Sequence, residues 1–537
     1  MLVHVPAAMA AAGALLLVFQ WAGGRPLWLD EEFLAVSFRD RGITDYFEPL
    51  WLGQTAPFGW LALERLSVVA LGTGERALRL LPLLFGIATI ATAVWIGRRW
   101  MTIVGASTLV LLCAFAQWLT YHVFELKPYS ADVFLALLVP AVGVWSVEIA
   151  RPEMFWIVAA IAQWFGNGAL FVTPLCALVL AAILLRRDGW RSAFRFSAFG
   201  VVWLGSFVLN YVLVLRHASS NVFFHRFWSG AFPPAGAGAM ETLRWFGAQF
   251  GGFDVKPGSA RLTHSLWLTA LGGFIAGTMS GQLLAPVFAT VPLAAVLLTA
   301  LRLVPFYERL TLWMVPSLYV GVALLADVAW RSFNPGRPED RAPQLHRFVA
   351  VVALCIAVLM CGDIALRGAV DGVRRGLSTA DNHRLDDRAA VRWLKAQKRP
   401  GDVWISTHYG VPAIWWYAGI GEERIVEVGH QRQGPECRDD GLEAAIGNAP
   451  RVLLYLGFRF DDVPRGFDDL IVRRLTQLGS VTAYRPFAEA SEALVIDRRA
   501  RSTAPTTISQ LNPRATPTET IDGCFTVRIA EIPTFVR

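Results

Sequence analysis

Apolar runs of about 20 residues recur through the first two thirds of the chain, and no other feature constrains its fold as strongly. A helix of that length spans the hydrocarbon core of a bilayer. Of the 537 residues, 55% are hydrophobic and 17% are charged, a membrane composition rather than a globular one. The sequence therefore predicts a polytopic α-helical membrane protein with about eleven spans. We place them at 5–23, 77–97, 102–121, 130–149, 154–166, 169–185, 196–215, 264–280, 283–301, 310–329 and 348–366.

One further apolar segment, residues 57–71, is predicted to lie in the membrane interface. It is short and carries Glu64 and Arg65 at its centre, where a charge would be costly at mid-depth. If residues 57–71 do not span, most Arg pairs between spans lie on one side of the membrane. By the positive-inside rule this side is cytoplasmic. Because these basic residues flank spans, we attribute the net charge of +7 to membrane topology and expect no nucleic-acid partner.

A small soluble α/β domain is predicted after the last span. Residues 388–398 have the periodicity of an amphipathic helix, and four short apolar runs are typical of strands, at 403–405, 424–426, 452–455 and 493–496. We therefore divide the chain into a membrane domain (1–366), with an outer loop at 25–76, and an extracytoplasmic α/β domain (367–537). The two cysteines of the latter, Cys437 and Cys524, could pair, but spacing alone leaves this open.

Three consecutive carboxylates, in the sequence Trp28-Leu29-Asp30-Glu31-Glu32, follow the first apolar run. One interpretation is a solvated acidic loop at the mouth of a span. The other is a general base, because an ionised carboxylate can take a proton from a hydroxyl while a sugar is transferred to it. Such an acidic triplet could also hold a divalent ion, although adjacent acids alone do not define a metal site.

Several cations stand where spans begin on the same predicted side. Lys127 precedes Pro128, which suits the first turn of a helix, and Arg79 and Arg309 open two other spans. Each could anchor its helix at the interface. Together they could instead bind a phosphate, with Glu125 orienting Lys127 or contacting the substrate.

Taken in order, these segments resemble the GT-C superfamily of integral membrane glycosyltransferases, in particular bacterial members of the protein-mannosyltransferase-like family 39. The resemblance is carried by Asp30-Glu31, Gln54-Thr55-Ala56-Pro57-Phe58, Glu75 with Ala77-Leu78-Arg79, Glu125 with Lys127-Pro128-Tyr129, and Arg309. This chain departs from the family pattern where Thr55-Ala56-Pro57 replaces His-Pro-Pro, Lys127 replaces an Arg, and Glu308 replaces a Gly.

The resemblance implies transfer of a hexose or pentose from a polyprenyl-phosphate donor to a protein, lipid or glycan acceptor. This reaction would take place at the outer face of the inner or plasma membrane. Asp30 would be the catalytic base with Glu31 supporting it, and Lys127, Arg79 and Arg309 would bind the donor phosphate. Gln54, Glu125 and Tyr129 would line the substrate pocket. The resemblance implies no certain cofactor and no metal ligand.

Two other functions compete with the transferase. A transporter or lipid flippase also needs many spans and charges near the membrane, but no inverted repeat is visible in the hydropathy. A membrane scaffold that binds envelope partners would not need the carboxylates and cations. His408, in Thr407-His408-Tyr409-Gly410, could contact an acceptor, although a lone His is more often structural.

Overall fold

The computed structural model describes residues 4–219, 222–333, 344–419, 424–430, 441–459, 463, 466–500, 505–512 and 525–531. Across these ranges α-helices dominate the first 377 residues, and a mixed sheet follows. In chain order the helices are α1 (Val5–Ala22), α2 (Leu29–Asp40), α3 (Phe58–Leu71), α4 (Glu75–Leu78), α5 (Leu80–Trp100), α6 (Ile103–Phe115), α7 (Gln117–His122), α8 (Tyr129–Glu148), α9 (Glu153–Ala162), α10 (Asn167–Asp188), α11 (Trp190–Asn210), α12 (Arg216–Ser219), α13 (Val222–Phe227), α14 (Ala239–Val255), α15 (Ser265–Met279), α16 (Leu284–Ala300), α17 (Val315–Phe333), α18 (Gln344–Leu377), α19 (Asp387–Gln397), α20 (Val411–Tyr417), α21 (Leu442–Ile446), α22 (Phe467–Leu478) and α23 (Ile508–Leu511).

The contacts divide the chain into two compact units. The helical unit comprises residues 1–23, 42–49 and 55–377, and the α/β unit comprises residues 24–41, 50–54 and 378–537. The predicted outer loop, 25–76, is therefore shared between the two units. The predicted boundary at 366 falls inside α18.

Helix α18 continues past its apolar stretch because charged side chains pair along it. Arg367 contacts Asp363 at 2.6 Å, and Arg375 pairs with Asp371 one turn further on. Such pairs at a spacing of four residues stabilise a helix. The helix thus ends at Leu377 rather than with the apolar run.

Each predicted span coincides with a helix of the helical unit, whereas α14 lies in a segment where no span was predicted. Within the described residues, seven segments are long and apolar enough to cross a bilayer, and the chain is a multi-pass membrane protein. These are Val5–Ala22, Glu75–Trp100, Tyr129–Glu148, Asn167–Asp188, Trp190–Leu215, Glu308–Phe333 and Arg347–Leu377. Four shorter apolar helices, α6, α9, α15 and α16, match the other predicted spans. The segment at 57–71 forms α3 with Glu64 fully buried, and its place in the interface stays a prediction.

Contacts at the helix ends give three central helices a common direction. Glu148 at the end of α8 accepts hydrogen bonds from Arg99 (2.9 Å) and Trp100 (2.6 Å) at the end of α5. Arg331 near the end of α17 donates to the carbonyl oxygen of Trp100 at 3.2 Å. We call this cluster of Arg99, Trp100, Glu148 and Arg331 the basic end. The starts of α5, α8 and α17 therefore lie together at the opposite end of the bundle.

Helices α15 and α17 cross with their backbones almost in contact. A Cβ added to Gly273 of α15 would overlap the carbonyl oxygen of Gly321 in α17. The neighbouring Gly272 is open, because the nearest atom to a Cβ there is a Leu325 methyl carbon at 4.0 Å. Small residues permit such close helix packing in membranes.

The α/β unit is built on a six-stranded sheet of order β4-β5-β3-β1-β2-β6. The central strand β1 runs parallel to β2 and β3, while β5 and β6 pair antiparallel with β3 and β2. The strands are β1 (Val403–Thr407), β2 (Ile425–His430), β3 (Arg451–Leu456), β4 (Ser480–Phe487), β5 (Ser491–Asp497) and β6 (Phe525–Ala530).

The predicted elements of this unit are confirmed at β1, β2, β3, β5 and α19. Helix α19 begins after Asp386, whose carboxylate accepts a hydrogen bond from the Ala389 amide at 3.0 Å. The edge strands β4 and β6 were not predicted, because their side chains are mostly half-buried or exposed and lack a buried apolar alternation. Cys437 and Cys524 lie outside the described residues.

Candidate functional site

The acidic motif forms the first turn of α2, in the α/β unit. Glu31 and Glu32 donate their amides to the Trp28 carbonyl oxygen at 2.8 and 3.0 Å, and Trp28 donates its amide to Glu31 Oε2 at 3.2 Å. Glu31 thereby caps the helix, where a negative charge also interacts favourably with the helix dipole. Asp30 is half-buried, whereas Glu31 and Glu32 are fully buried. The interpretation as a solvated acidic loop is therefore wrong for the last two carboxylates.

Helix α2 is fixed by contacts within its own unit. The Leu27 amide donates to the Tyr417 hydroxyl at 2.7 Å, and Arg39 donates to the Trp415 carbonyl oxygen at 2.5 Å, so both ends of α2 are held by α20. The Trp28 ring lies 4.2 Å from the ring of His383. These contacts hold the backbone of α2 within the α/β unit.

Three buried carboxyl groups meet beside the motif, and two of them were not expected from the sequence. Glu32 is joined by Asp381, before α19, and by Asp387, the first residue of α19, which are 6% and 2% exposed. Burial and the neighbouring carboxyls raise the pKa of Glu32 and of Asp381 well above their usual ranges. Burial raises the pKa of Asp387 to about 7. No sequence signal connects these positions, which lie far apart in the chain.

The helical unit contains five of the predicted site residues. Glu125 and Lys127 lie in the loop between α7 and α8, are 1% and 7% exposed, and are linked by a hydrogen bond from the Lys127 amide to the Glu125 carbonyl oxygen at 2.7 Å. Tyr129 is the first residue of α8. Glu125 Oε2 lies 2.8 Å from His122 Nδ1. His122 was not singled out from the sequence, although its spacing of three residues from Glu125 on one turn could have indicated the contact.

Arg79 and Arg309 each lie just before a long helix of this unit. Arg79 directly precedes α5 and is 5% exposed. Arg309 belongs to the 3₁₀ turn Glu308–Met314 that leads into α17, with its guanidinium 5.9 Å from the Trp228 ring centre. The starts of α5, α8 and α17 share the end of the bundle opposite the basic end. Arg79, Lys127 and Arg309 are thus three cations at one end of the helical unit.

Gln54 and His408 belong to the α/β unit. Gln54 follows the 3₁₀ turn Trp51–Gly53 and donates its amide to the Trp51 carbonyl oxygen at 3.3 Å. His408 Nδ1 lies 3.0 Å from Glu427 Oε1, which also pairs with Arg528 at 2.8 Å. His408 is therefore part of an ion-pair cluster at the end of β1. This arrangement is consistent with a structural role for His408.

No group of three or more His, Cys, Asp or Glu side chains is arranged to hold a metal ion within the ranges described above. The buried carboxyls beside Asp30 do not form such a group. A divalent ion at the acidic motif stays a prediction.

Comparisons with known proteins bear on the fold. Neither the family models nor the curated proteins give a match. Among solved structures, the chain is similar to ArnT from Cupriavidus metallidurans in the apo state, with a TM-score of 0.52 at 13% identity over 92% of this chain and 98% of ArnT. The ArnT structure bound to undecaprenyl phosphate gives a TM-score of 0.51 at 13% identity, over 93% and 99% of the two chains.

The chain has the GT-C fold. The similarity extends over both units, and it confirms the predicted fold class, a GT-C-type helical membrane protein with a small α/β domain. The narrower resemblance to family 39 stays a prediction. At 13% identity the similarity shows the GT-C fold alone and assigns no role to individual residues.

Proposed function

We propose that this GT-C chain is a membrane glycosyltransferase that moves a sugar from a polyprenyl-phosphate donor to an envelope acceptor. The observation that carries the proposal is the placement of Arg79, Lys127 and Arg309 at one end of the bundle, where spanning helices begin. Two of them are more than nine-tenths buried. Lysine and arginine side chains form charge-assisted hydrogen bonds to phosphate, and the phosphate of a lipid donor is an anion held at the membrane surface.

The proposed chemistry is a single displacement with Asp30 as general base. The acceptor hydroxyl oxygen attacks the anomeric carbon, and Asp30 accepts the hydroxyl proton. The bond between the anomeric carbon and the phosphate oxygen breaks, and the polyprenyl phosphate leaves with the electron pair. The cations stabilise the charge on that leaving phosphate. One displacement inverts the configuration at the anomeric carbon.

The proposal includes the following further assignments. Glu31 supports Asp30 by capping its helix, and Gln54, Glu125 and Tyr129 contact the substrate. The acceptor is a protein, lipid or glycan, and the transferred sugar is a hexose or a pentose. The reaction takes place at the outer face of the inner or plasma membrane, with the α/β unit extracytoplasmic. The basic end of the bundle then faces the cytoplasm, in agreement with the positive-inside rule.

The test compares source cells that carry the intact gene, a deletion, or the variant Asp30→Asn. Mass spectrometry measures their polyprenyl-phosphate sugars and envelope glycans. Accumulation of one lipid-linked sugar with loss of one glycan, in both defective strains, is the expected result and identifies the sugar. A glycan lost on deletion but kept with Asp30→Asn would instead favour transport or scaffolding.

Removing a donor-binding cation is expected to weaken donor binding with little change in folding. Lys127→Met and Arg309→Gln should each raise the donor KM about 10- to 100-fold, because a hydrogen bond to a charged group contributes about 1.5–3 kcal/mol. The measurement is initial rate against donor concentration with the purified protein. Arg98→Gln is the matched control, since it removes an exposed cation beside the basic end. If the Lys127 and Arg309 variants have the same donor KM as this control, the two cations do not bind the donor and only anchor their helices at the interface.

A further inference from the structure

Helix α18 is longer than a membrane span requires. It has 34 residues, so at 1.5 Å per residue it is about 51 Å long. The hydrocarbon core of a bilayer is about 30 Å thick. The apolar run of α18 ends at Leu366, and the helix continues through residues 367–377, which we call the α18 extension. The contacts that this extension makes with other helices indicate its role.

Two glycines bring the α18 extension against neighbouring helices of the same unit. A Cβ added to Gly368 would overlap the carbonyl oxygen of Phe115, the last residue of α6. About two turns further on, a Cβ added to Gly376 would overlap the ring of Phe19, near the end of α1. Small residues permit such close packing of helices in membranes. The extension therefore lies directly on the ends of α6 and α1.

Arg375 joins the α18 extension to two other helices. Its Nη2 donates to the Thr120 hydroxyl of α7 at 2.8 Å, and its Nε donates to Gln20 Oε1 of α1 at 3.2 Å. Its Nη1 pairs with Asp371 on its own helix, and the guanidinium carbon lies 5.7 Å from the Tyr121 ring centre. Arg375 is 9% exposed, so these contacts are shielded from water. An arginine suits this place because its planar guanidinium carries several donors in a fixed fork.

A second arginine of the α18 extension reaches α7 through a loop residue. Arg367 donates to the Ser259 carbonyl oxygen at 2.7 Å, and the Ser259 hydroxyl accepts a hydrogen bond from the Trp118 amide at 3.3 Å. Helix α7 has only six residues, and Ala116, with an extended ψ of 130°, separates it from α6. The direction of α7 is therefore set by its neighbours and not by continuation from α6.

Helix α7 leads directly into the loop that carries Lys127. His122, the last residue of α7, has its Nδ1 2.8 Å from Glu125 Oε2, and the Glu125 carbonyl oxygen accepts from the Lys127 amide at 2.7 Å. A shift of α7 would therefore shift this loop. We infer that Arg375 is a positioning residue, which fixes α7 against α18 and α1 and so sets the position of Lys127. The inference rests on the proposed function for the role of Lys127, but the fixation of α7 does not.

The fixation of α7 is tested by hydrogen exchange in the purified full-length protein. Arg375→Gln should increase the exchange rate of the amides of residues 118–127 about 10-fold, because α7 loses a buried charged contact with α18. Arg374→Gln is the matched control, since it makes the same change one position away, at an exposed side chain. Its exchange rates should equal those of the unmodified protein. Equal exchange in the two variants would overturn the fixation of α7 by Arg375.

A smaller substitution decides the question if Arg375→Gln does not fold. Thr120→Val removes the hydroxyl that Arg375 contacts but keeps the size of the side chain and the pair between Arg375 and Asp371. It should increase the exchange rate of the same amides about threefold or more. Thr92→Val is its control, since the Thr92 hydroxyl donates to the Ala88 carbonyl oxygen of its own helix at 2.8 Å. Equal exchange in the two valine variants would overturn the contact as a support of α7.

The positioning role is tested by a double-mutant cycle on the donor KM. Arg375→Gln should raise the donor KM about 10-fold, because Lys127 is displaced from the donor phosphate. In the Lys127→Met background the same substitution should change the donor KM less than about twofold, since the residue through which Arg375 acts is already absent. Equal fold-changes in both backgrounds would overturn a role through Lys127. If the unmodified protein transfers no sugar, the proposed function fails, and the exchange experiment still decides whether Arg375 fixes α7.

Discussion

Asp30→Asn is expected to lower kcat for sugar transfer about 10²- to 10⁴-fold, the usual contribution of a general base. The amide is nearly identical in shape to the carboxylate but cannot accept the proton of the acceptor hydroxyl. The measurement is the single-turnover rate with a radiolabelled polyprenyl-phosphate sugar and the purified protein. Because Asp30 is half-buried and Glu31 caps the helix, the substitution should leave the structure of α2 unchanged.

Asp40→Asn is the matched control for this prediction, because it makes the same change on the same helix. Asp40 lies in the last turn of α2, is partly exposed and pairs with Arg39 at 2.7 Å, so its replacement should leave the rate within about twofold. Equal protection of the α2 amides in both variants would show that the fold is retained. A rate for Asp30→Asn within tenfold of the unmodified protein would rule out Asp30 as the base.

The second large effect is expected on stability, at the crossing of α15 and α17. Gly273→Ala places a methyl group where the carbonyl oxygen of Gly321 lies, and two helix backbones must separate to admit it. Overpacking of a tight contact costs about 1–3 kcal/mol, and a backbone neighbour that cannot rotate away favours the upper end. We expect a marked fall in the melting temperature of the detergent-solubilised protein. The measurement is size-exclusion chromatography of the protein after heating.

Gly272→Ala provides a control at the adjacent position of the same helix. A Cβ there meets only a Leu325 methyl carbon at 4.0 Å, and alanine is favoured over glycine in a helix by about 1 kcal/mol. The melting temperature of this variant should be equal to or above that of the unmodified protein. Equal melting temperatures for the two alanine variants would mean that α15 and α17 do not cross closely at Gly273.

The spans were predictable because hydrophobic length is a local property of the sequence. Each apolar run needs only its own residues to indicate a helix, and the predicted spans coincide with helices in the structure. The extension of α18 to Leu377 was missed, because hydropathy does not register the pairs Asp363–Arg367 and Asp371–Arg375. The strands β4 and β6 were missed for a related reason, since exposed edge strands owe their existence to a neighbouring strand.

The candidate site was predictable in part. Asp30 and the three cations could be proposed from chemistry and from their order along the chain. The burial of Glu31 and Glu32 could not, because the groups that cover them, among them Asp387 and Tyr455, come from residues more than three hundred positions away. The division of the predicted outer loop between two units has the same origin.

That division also affects how the protein is made. Residues 24–41 and 50–54 emerge from the ribosome early, whereas the rest of the α/β unit begins at Ser378. At about 5–20 residues per second, the synthesis of residues 42–377 takes about 20 to 70 seconds. During that interval the apolar side chains of α2, among them Leu34, Val36 and Phe38, have none of their partners from residue 378 onward. The nascent chain thus exposes an apolar segment next to its first membrane helix, and a chaperone or the insertion machinery has time to bind this segment.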